Sequence, residues 1–345
     1  MSRITYRIWL RRMFFLSALL LGAVALALSL GAVSIPLSET WSIFISGLSG
    51  GPAEYSPEAS LLFGLRWPRV TLAALEGAAL SLSGAVLQAL LRNPLADPYI
   101  LGVSGGAALG AVLALLFGLG TTVLGGQAVA GAAFGGALIT LCGVYLLARV
   151  GGRVSSQTML LAGVIVNSFH SAVILLLISV TGDERLYTVT FWLMGSLESV
   201  RPRHLPILSA YLLCGAAVLL SRAKELNLMS MGEETAAQLG VDVEQVKITV
   251  FVLTSLITGA IVSVSGLIGF AGLIVPHLVR LIWGSDHRLL LPASALLGAA
   301  FLVLADLVAR TVLAPLELPV GVVTGLAGAP FFAYLLRRKE LAAHS

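Results

Sequence analysis

A chain of 345 residues that is 58% hydrophobic and only 11% charged, with a mean hydropathy of +0.98, falls outside the soluble globular class, in which charged residues make up about a quarter. Its net charge of +4 is a topology signal and no argument for nucleic acid as a partner. The two cysteines, Cys142 and Cys214, sit inside apolar runs and form no disulfide or metal pattern. The composition predicts an all-α polytopic membrane protein with the lipid bilayer as its main solvent, and its 37 glycines suit close approach between helices.

The first apolar run, Met13–Val33, follows Arg3, Arg7, Arg11 and Arg12. A secretory signal begins the same way, but this run is longer than a signal core and lacks a clear cleavage site, so it reads as a retained helix. Spans need about 20 apolar residues, fewer where neighbours shield them. Ten are expected, near 13–35, 62–90, 98–118, 126–148, 156–181, 203–222, 244–266, 270–284, 289–310 and 320–336. The second is long enough to tilt. The eighth is short and holds Pro276 and His277, so protein must shield it. A stub near Thr188–Gly195 reads as a short helix on the side away from the amino terminus. With the amino terminus inside, 15 of the 21 Lys and Arg residues fall on inner segments, which puts both termini in the cytoplasm. The first outer loop, Ser34–Ser60, carries Glu39, Glu54 and Glu58 and no base.

The chain repeats itself. Gly77–Gly84, GAALSLSG, matches Gly259–Gly266, GAIVSVSG, at an offset of 182 residues, and at that offset Ala89 meets Ala271, Pro94 meets Pro276 and Gly102 meets Gly284. The copies begin five spans apart, so they run oppositely through the membrane, as inverted repeats do in many transporters. Asn93-Pro94 and Pro276-His277 are then two places where a helix loses a backbone bond.

The longest polar interruption after Ser60 is Leu226–Gly240, LNLMSMGEETAAQLG. It reads as a short helix at the membrane surface on the cytoplasmic side; the plain alternative is a solvated loop. Ser230 and Glu233 have capping-box spacing, in which the hydroxyl takes an orphan amide and the carboxylate reaches back. Glu233 and Glu234 sit where the helix dipole favours acids, Gly240 suits a left-handed stop, and Asp242 can cap a helix starting at Val243. Met231 and Leu239 are expected on the buried side.

Charges within spans are costly in lipid, about 2.5–3.5 kcal/mol or more. Asp306 and Arg310 are four apart and can pair. Glu76 has no neighbour in sequence to pair with; it reads either as a proton or cation site or as a carboxylate bonded to an adjacent helix. Arg66 and Arg69, three apart at the outer end of the second span, are expected to point the same way, with Arg310 closing the ninth span on that side. Arginine grips a carboxylate with a planar fork, so this set would orient a soluble partner that exposes glutamates.

No catalytic apparatus is visible. The chain has no Gly-x-x-x-x-Gly-Lys-[Ser/Thr] phosphate loop; the clusters Gly102-Val-Ser-Gly-Gly and Gly125-Gly lack the lysine and read as close-packing positions. No nucleophile–base–acid set appears, and His170, His277 and His287 are scattered. The chain is expected to be no enzyme and to bind no cofactor or metal of its own.

Three stretches are more specific: Leu65–Ala111, with RNPLADP at its centre; LMSMGEETAAQLGV, from Leu228; and SGLIGFAGLIVPHLVRLIWGSDHRLLLP, from Ser265, followed by LADLVAR and LELPVGVVTGLAGAPFF. In order and spacing they resemble the FecCD/BtuC-type permease family, the membrane subunits of ABC importers for iron–siderophore, haem and cobalamin, over nearly the whole chain. The resemblance implies the type II ABC importer permease fold: ten transmembrane helices with an inverted internal repeat, in a single permease domain, 1–345, with a cytoplasmic coupling helix near 228–240. It also implies a homodimer, two separate ATPase subunits that carry ATP and Mg, a periplasmic or surface-tethered substrate-binding protein, and residence in the cell inner (plasma) membrane. On this resemblance, ATPase coupling falls to Ser230, Met231, Glu233, Glu234, Leu239 and Gly240. The cytoplasmic gate falls to Asn93 and Leu95 in one turn and Ser155 and Ser156 in another, and binding-protein docking to Arg66, Arg69 and Arg310. The cargo stays open between an iron chelate, siderophore or haem, and cobalamin. A rival from another class is an ion-coupled secondary transporter, which has no use for a docked ATPase.

Overall fold

A computed structural model of the chain describes residues 5–31, 33–48, 56–121, 126–151, 153–198 and 202–343. Arg3, Glu54, Gly125 and Arg201, which figure in the sequence reading, lie outside them. The described helices are α1 (Tyr6–Ser29), α2 (Leu37–Leu48), α3 (Pro57–Leu61), α4 (Trp67–Leu90), α5 (Val103–Leu116), α6 (Gly126–Ala148), α7 (Ser156–Ser179), α8 (Asp183–Met194), α9 (Leu205–Ser221), α10 (Ala223–Met229), α11 (Glu233–Gln238), α12 (Val243–Ser265), α13 (Ala271–Trp283), α14 (His287–Thr311) and α15 (Val320–Ala343). A π-helical turn, Leu62–Arg66, joins α3 to α4, and a 3-10 turn, Pro98–Leu101, precedes α5. Two-residue strands β1 (Arg149–Val150) and β2 (Arg153–Val154) make an antiparallel hairpin between α6 and α7, with Arg149 opposite Val154.

Among the described residues, seven helical segments are long and apolar enough to cross a membrane, and α5, α13 and the start of α15 are shorter apolar helices. This is a multi-pass membrane protein. Capping follows local chemistry: Ser155 accepts from Thr158 N–H to start α7 (3.3 Å), and Asp242 accepts from Gln245 N–H to start α12 (3.0 Å).

The core is organised around α4, whose buried side chains run from Pro68 to Leu90. Small residues permit this. A Cβ at Gly77 would overlap the backbone of Gly298 on α14, and one at Gly84 the backbone of Gly272 on α13. At the other extreme, only 11% of the most apolar window of α7 is buried, against 78% for Pro57–Leu90.

Three differences from the sequence reading have local causes. The loop read as Ser34–Ser60 contains a helix, α2, whose Trp41 and Phe44 pack in an aromatic row with Phe63 and Trp67. The stub near Thr188 is the longer α8. Pro276 does not break its helix: it is buried inside a continuous α13, and the non-helical stretch is Gly266–Phe270 instead. A proline leaves the carbonyl four residues earlier without its helical donor. That carbonyl, Gly272 O, accepts from the Gln88 amide of α4 (3.2 Å), so the helix carries on.

Trp9 in the first turn of α1 donates to Arg288 O at the start of α14 (3.2 Å). The amino-terminal face thus gathers the starts of α1, α7, α12 and α14, the end of α4, the β1–β2 hairpin, and α10 and α11. The ends of α1 and α14 and the start of α4 form the opposite face.

Candidate functional site

On the amino-terminal face the Leu226–Gly240 stretch is two short helices, not one. Ser230 is no N-cap: its hydroxyl donates back to Leu226 O (2.9 Å), closing α10. The chain then turns at Gly232, φ +129°, which has no side chain with which to cap α11. Glu233 does not reach back either. One of its oxygens pairs with Lys247 Nζ (2.5 Å) and the other accepts from Ser156 Oγ (2.9 Å). The capping box is therefore absent, because both of its members are bonded elsewhere.

Met231 and Leu239, expected on the buried side, are 67% and 59% exposed. Met231 lies in the break and Leu239 caps α11 at its last turn. The buried anchors of the segment are Leu226, Met229 and Ala236. The stop at Gly240 follows expectation: φ is +86°, Val241 N–H donates to Ala236 O and Gly240 N–H to Ala237 O, both at 3.0 Å, which is the Schellman pattern. Glu234 is exposed in the first turn of α11.

Two turns flank this segment. In the first, Asn93 Oδ1 accepts from Leu95 N–H (2.9 Å), the Leu95 side chain is exposed, and Arg92 takes φ +47°. Arg92 Nη1 lies 3.9 Å from where a Cβ would sit on Gly232. Gln88 holds this turn by donating to Ala96 O (3.3 Å), and Arg280 of α13 donates to Gln88 Oε1 (2.8 Å). In the second, the β1–β2 hairpin, both backbone groups of Val154 are taken by the first turns of α12. Glu244 accepts from Val154 N–H (2.8 Å), and Lys247 donates to Val154 O (3.0 Å).

A further link joins α10 to α14. Asn227 donates to Asp286 (2.9 Å) and accepts from His287 N–H (2.9 Å). The Asp286 carboxyl is pushed down to about 2, chiefly by its hydrogen bonds to Arg288 and, against the cost of burial, with help from Asn227.

On the opposite face Arg66, Arg69 and Arg310 are brought together, but not as a free exposed set: they are 5%, 9% and 5% exposed. Nor do Arg66 and Arg69 share partners. Arg66 closes the π-helical turn and is aimed at the end of α1, where it donates to the carbonyls of Leu28 (2.7 Å), Ser29 (3.1 Å) and Val33. A cation at orphaned helix-end carbonyls is favourable. Arg69 faces α14 and donates to Asp306 (2.8 Å) and to Glu317 (2.6 Å). Arg310 pairs with Asp306 (3.2 Å), as the four-residue spacing predicts, and donates to Ala27 O. All three line a cavity of about 230 Å³ that also meets Glu198 and Glu317. Glu317, with 41% of its side chain exposed, and Glu198 are accessible.

Glu76 is fully buried and accepts from Ser265 Oγ of α12 (2.8 Å). Of its two sequence readings, the carboxyl bonded to an adjacent helix is the arrangement found. His170, His277 and His287 lie apart on α7, α13 and α14. Among the described residues no group of three His, Cys, Asp or Glu side chains could hold a metal.

The sequence reading missed Lys247, Glu244, Asn227, Asp286 and Glu317. Lys247 had a signal, a lysine in the first turns of an apolar span, but it entered only the topology count. The others make contacts across 59 to 248 positions of sequence, which no local pattern encodes.

Apolar helices, a polar segment with exposed apolar side chains on one face, and a buried charge cluster on the other define a multi-pass membrane protein equipped for partners. The model of the FecCD transport family matches residues 19–338, and the chain belongs to that family. It is similar to the cobalamin import system permease protein BtuC of Halobacterium salinarum, 48% identical over 81% of this chain and 74% of that protein. It is also similar to the hemin transport system permease protein HmuU of Yersinia pestis, 39% identical over 94% of this chain and 96% of that one. A solved structure of an ABC transporter assigned to the metal-chelate type, in an inward-facing conformation, shares 32% sequence identity and a TM-score of 0.83, covering 95% of this chain and 99% of that chain.

Proposed function

We propose that the chain is the membrane permease of an ABC importer that carries a metal chelate into the cell. The cargo is an iron chelate, siderophore or haem; cobalamin is the alternative, favoured by the 48% identity to a cobalamin permease. The working unit is a homodimer of single-domain permeases, each with ten spans built as an inverted repeat, in the inner (plasma) membrane with both termini cytoplasmic. Two partner ATPases bind ATP and Mg and hydrolyse the nucleotide. A periplasmic or surface-tethered binding protein delivers the cargo.

The observation that carries this reading is the α10–α11 segment. It offers Met231, Leu239 and Glu234 to solvent while its other face is anchored by Leu226, Met229 and Ala236. An apolar pair beside an acid on a stiff, anchored element is what a closing ATPase can grip and displace. The turns at Asn93 and Leu95 and at Ser155 and Ser156, on the same face, form the cytoplasmic gate. The docking role of Arg66, Arg69 and Arg310 narrows to the cavity mouth, where a partner's glutamate competes with Glu317 for Arg69. The test is import into vesicles holding the chain with its copurified ATPase, supplied with ferric siderophore, haem or cobalamin. ATP-dependent accumulation of one of these supports the proposal and names the cargo; accumulation driven by an ion gradient without ATP contradicts it.

A further inference from the structure

We propose that Lys247 is the positioning residue that ties α11 to the β1–β2 hairpin, so that a displacement of α11 is passed to that turn and to the start of α7 that follows it. This rests on the import reading above.

The tie is made of four bonds around one point. Glu233, in the first turn of α11, holds Lys247 with one oxygen (2.5 Å) and Ser156, the first residue of α7, with the other (2.9 Å). Lys247 donates to Val154 O (3.0 Å), and Glu244, three residues before it on α12, accepts from Val154 N–H (2.8 Å). Lys247 is buried, 5% exposed, and its partner Glu233 is half-buried, so the pair is better shielded from water than one between two surface side chains. Val154, itself buried, is held at both its N–H and its C=O, so it cannot slide past α12 without breaking these bonds.

The next question is which element yields when α11 moves. Helix α4 is enclosed by α12, α13 and α14, and a Cβ-sized shift against Gly272 or Gly298 meets backbone. Among the described residues, helix α7 is the least buried of the membrane-length helices. Its amino end is also the end bonded to α11 through Ser156. A push on α11 therefore has a charge-assisted connection to the least buried of these helices. A lysine serving only as a buried staple would also hold the hairpin, but its loss would not separate ATP hydrolysis from movement at the hairpin.

The experiment uses the chain in complex with its copurified ATPase in nanodiscs. Native thiols are removed by Cys142→Ala and Cys214→Ala, and Gln157→Cys, at an exposed position in the first turn of α7, reports maleimide reactivity. Adding ATP and Mg should change the labelling rate about tenfold. With Lys247→Met the change should fall below about twofold while ATP hydrolysis continues. Lys247→Arg should restore the response, because it keeps a cation for Glu233 and a donor for Val154 O. Should Lys247→Met fail to fold, Ser156→Ala cuts only the bond to α7 and should still reduce the response. An undiminished response in Lys247→Met, or in Ser156→Ala, overturns the proposal. An unsubstituted chain that holds no ATPase overturns the import reading and this proposal with it; one that holds the ATPase and responds equally with and without Lys247→Met overturns this proposal alone.

Discussion

The two faces of the molecule spend their charges differently. On the amino-terminal face the ionic groups sit at the rims of short elements, and each bond joins two elements that could move apart: Glu233 on α11 to Ser156 on α7, Lys247 on α12 to the hairpin, Asn227 on α10 to Asp286 before α14. On the opposite face three arginines are sunk among the ends of α1 and α14 and the start of α4 and held by carbonyls and two carboxylates. The first arrangement suits transmission, because its bonds are few and span hinges. The second suits a fixed platform, because its cations are enclosed by internal acceptors and a buried charge stripped of its partner is expensive.

That contrast can be broken most severely at the platform. Arg69→Met leaves Asp306 buried with Arg310 as its remaining partner, and should cost about 3–5 kcal/mol; thermal unfolding in detergent measures it. Adding Asp306→Asn should recover part of the loss, which would confirm that the cost lies in the stranded carboxylate. A loss under about 0.5 kcal/mol would mean that the cluster is no platform.

On the amino-terminal face the effects should be smaller and should depend on conditions. The Asp286 carboxyl is lowered from 3.8 to about 2, so the stability it contributes is complete above its unfolded value and is lost as pH falls from about 4 towards 2. Asp286→Asn should flatten that acid-side slope in unfolding curves. An unchanged slope would show that the bonds to Arg288 and Asn227 hold nothing.

The smallest effect expected is that of Ser230→Ala. As an N-cap, Ser230 would be worth about 1 kcal/mol. Its hydroxyl instead bonds back to Leu226 O, so the loss should stay within about 0.5 kcal/mol. A larger value would restore the capping role.

What the sequence made legible was whatever depends on neighbours along the chain. The expected span at 126–148 coincides with α6, Asp242 caps α12, Gly240 stops α11, and Asp306 pairs with Arg310 one turn away. What stayed hidden were contacts between elements. Helical spacing states that Arg66 and Arg69 share a face of an ideal α-helix, but Arg66 closes a π-helical turn and is drawn to the end of α1. Pro276 carries the mark of a break, and only the Gln88 side chain, nearly two hundred residues earlier, explains why α13 runs on. Met231 and Leu239 look like core residues by type. Their exposure follows from the break at Gly232, where a capping box had seemed to promise one continuous helix.

The exposed side of α10–α11 is the proposed grip of the ATPase. Met231→Asp together with Leu239→Asp tests it most directly, because both side chains are largely exposed and their replacement should change the stability of the chain by less than about 0.5 kcal/mol each. The measurement is retention of the ATPase subunit when the tagged chain is purified from membranes. The expected result is a folded double variant that comes away without its ATPase and no longer imports cargo. A double variant that keeps the ATPase at the unsubstituted ratio and imports normally would contradict it.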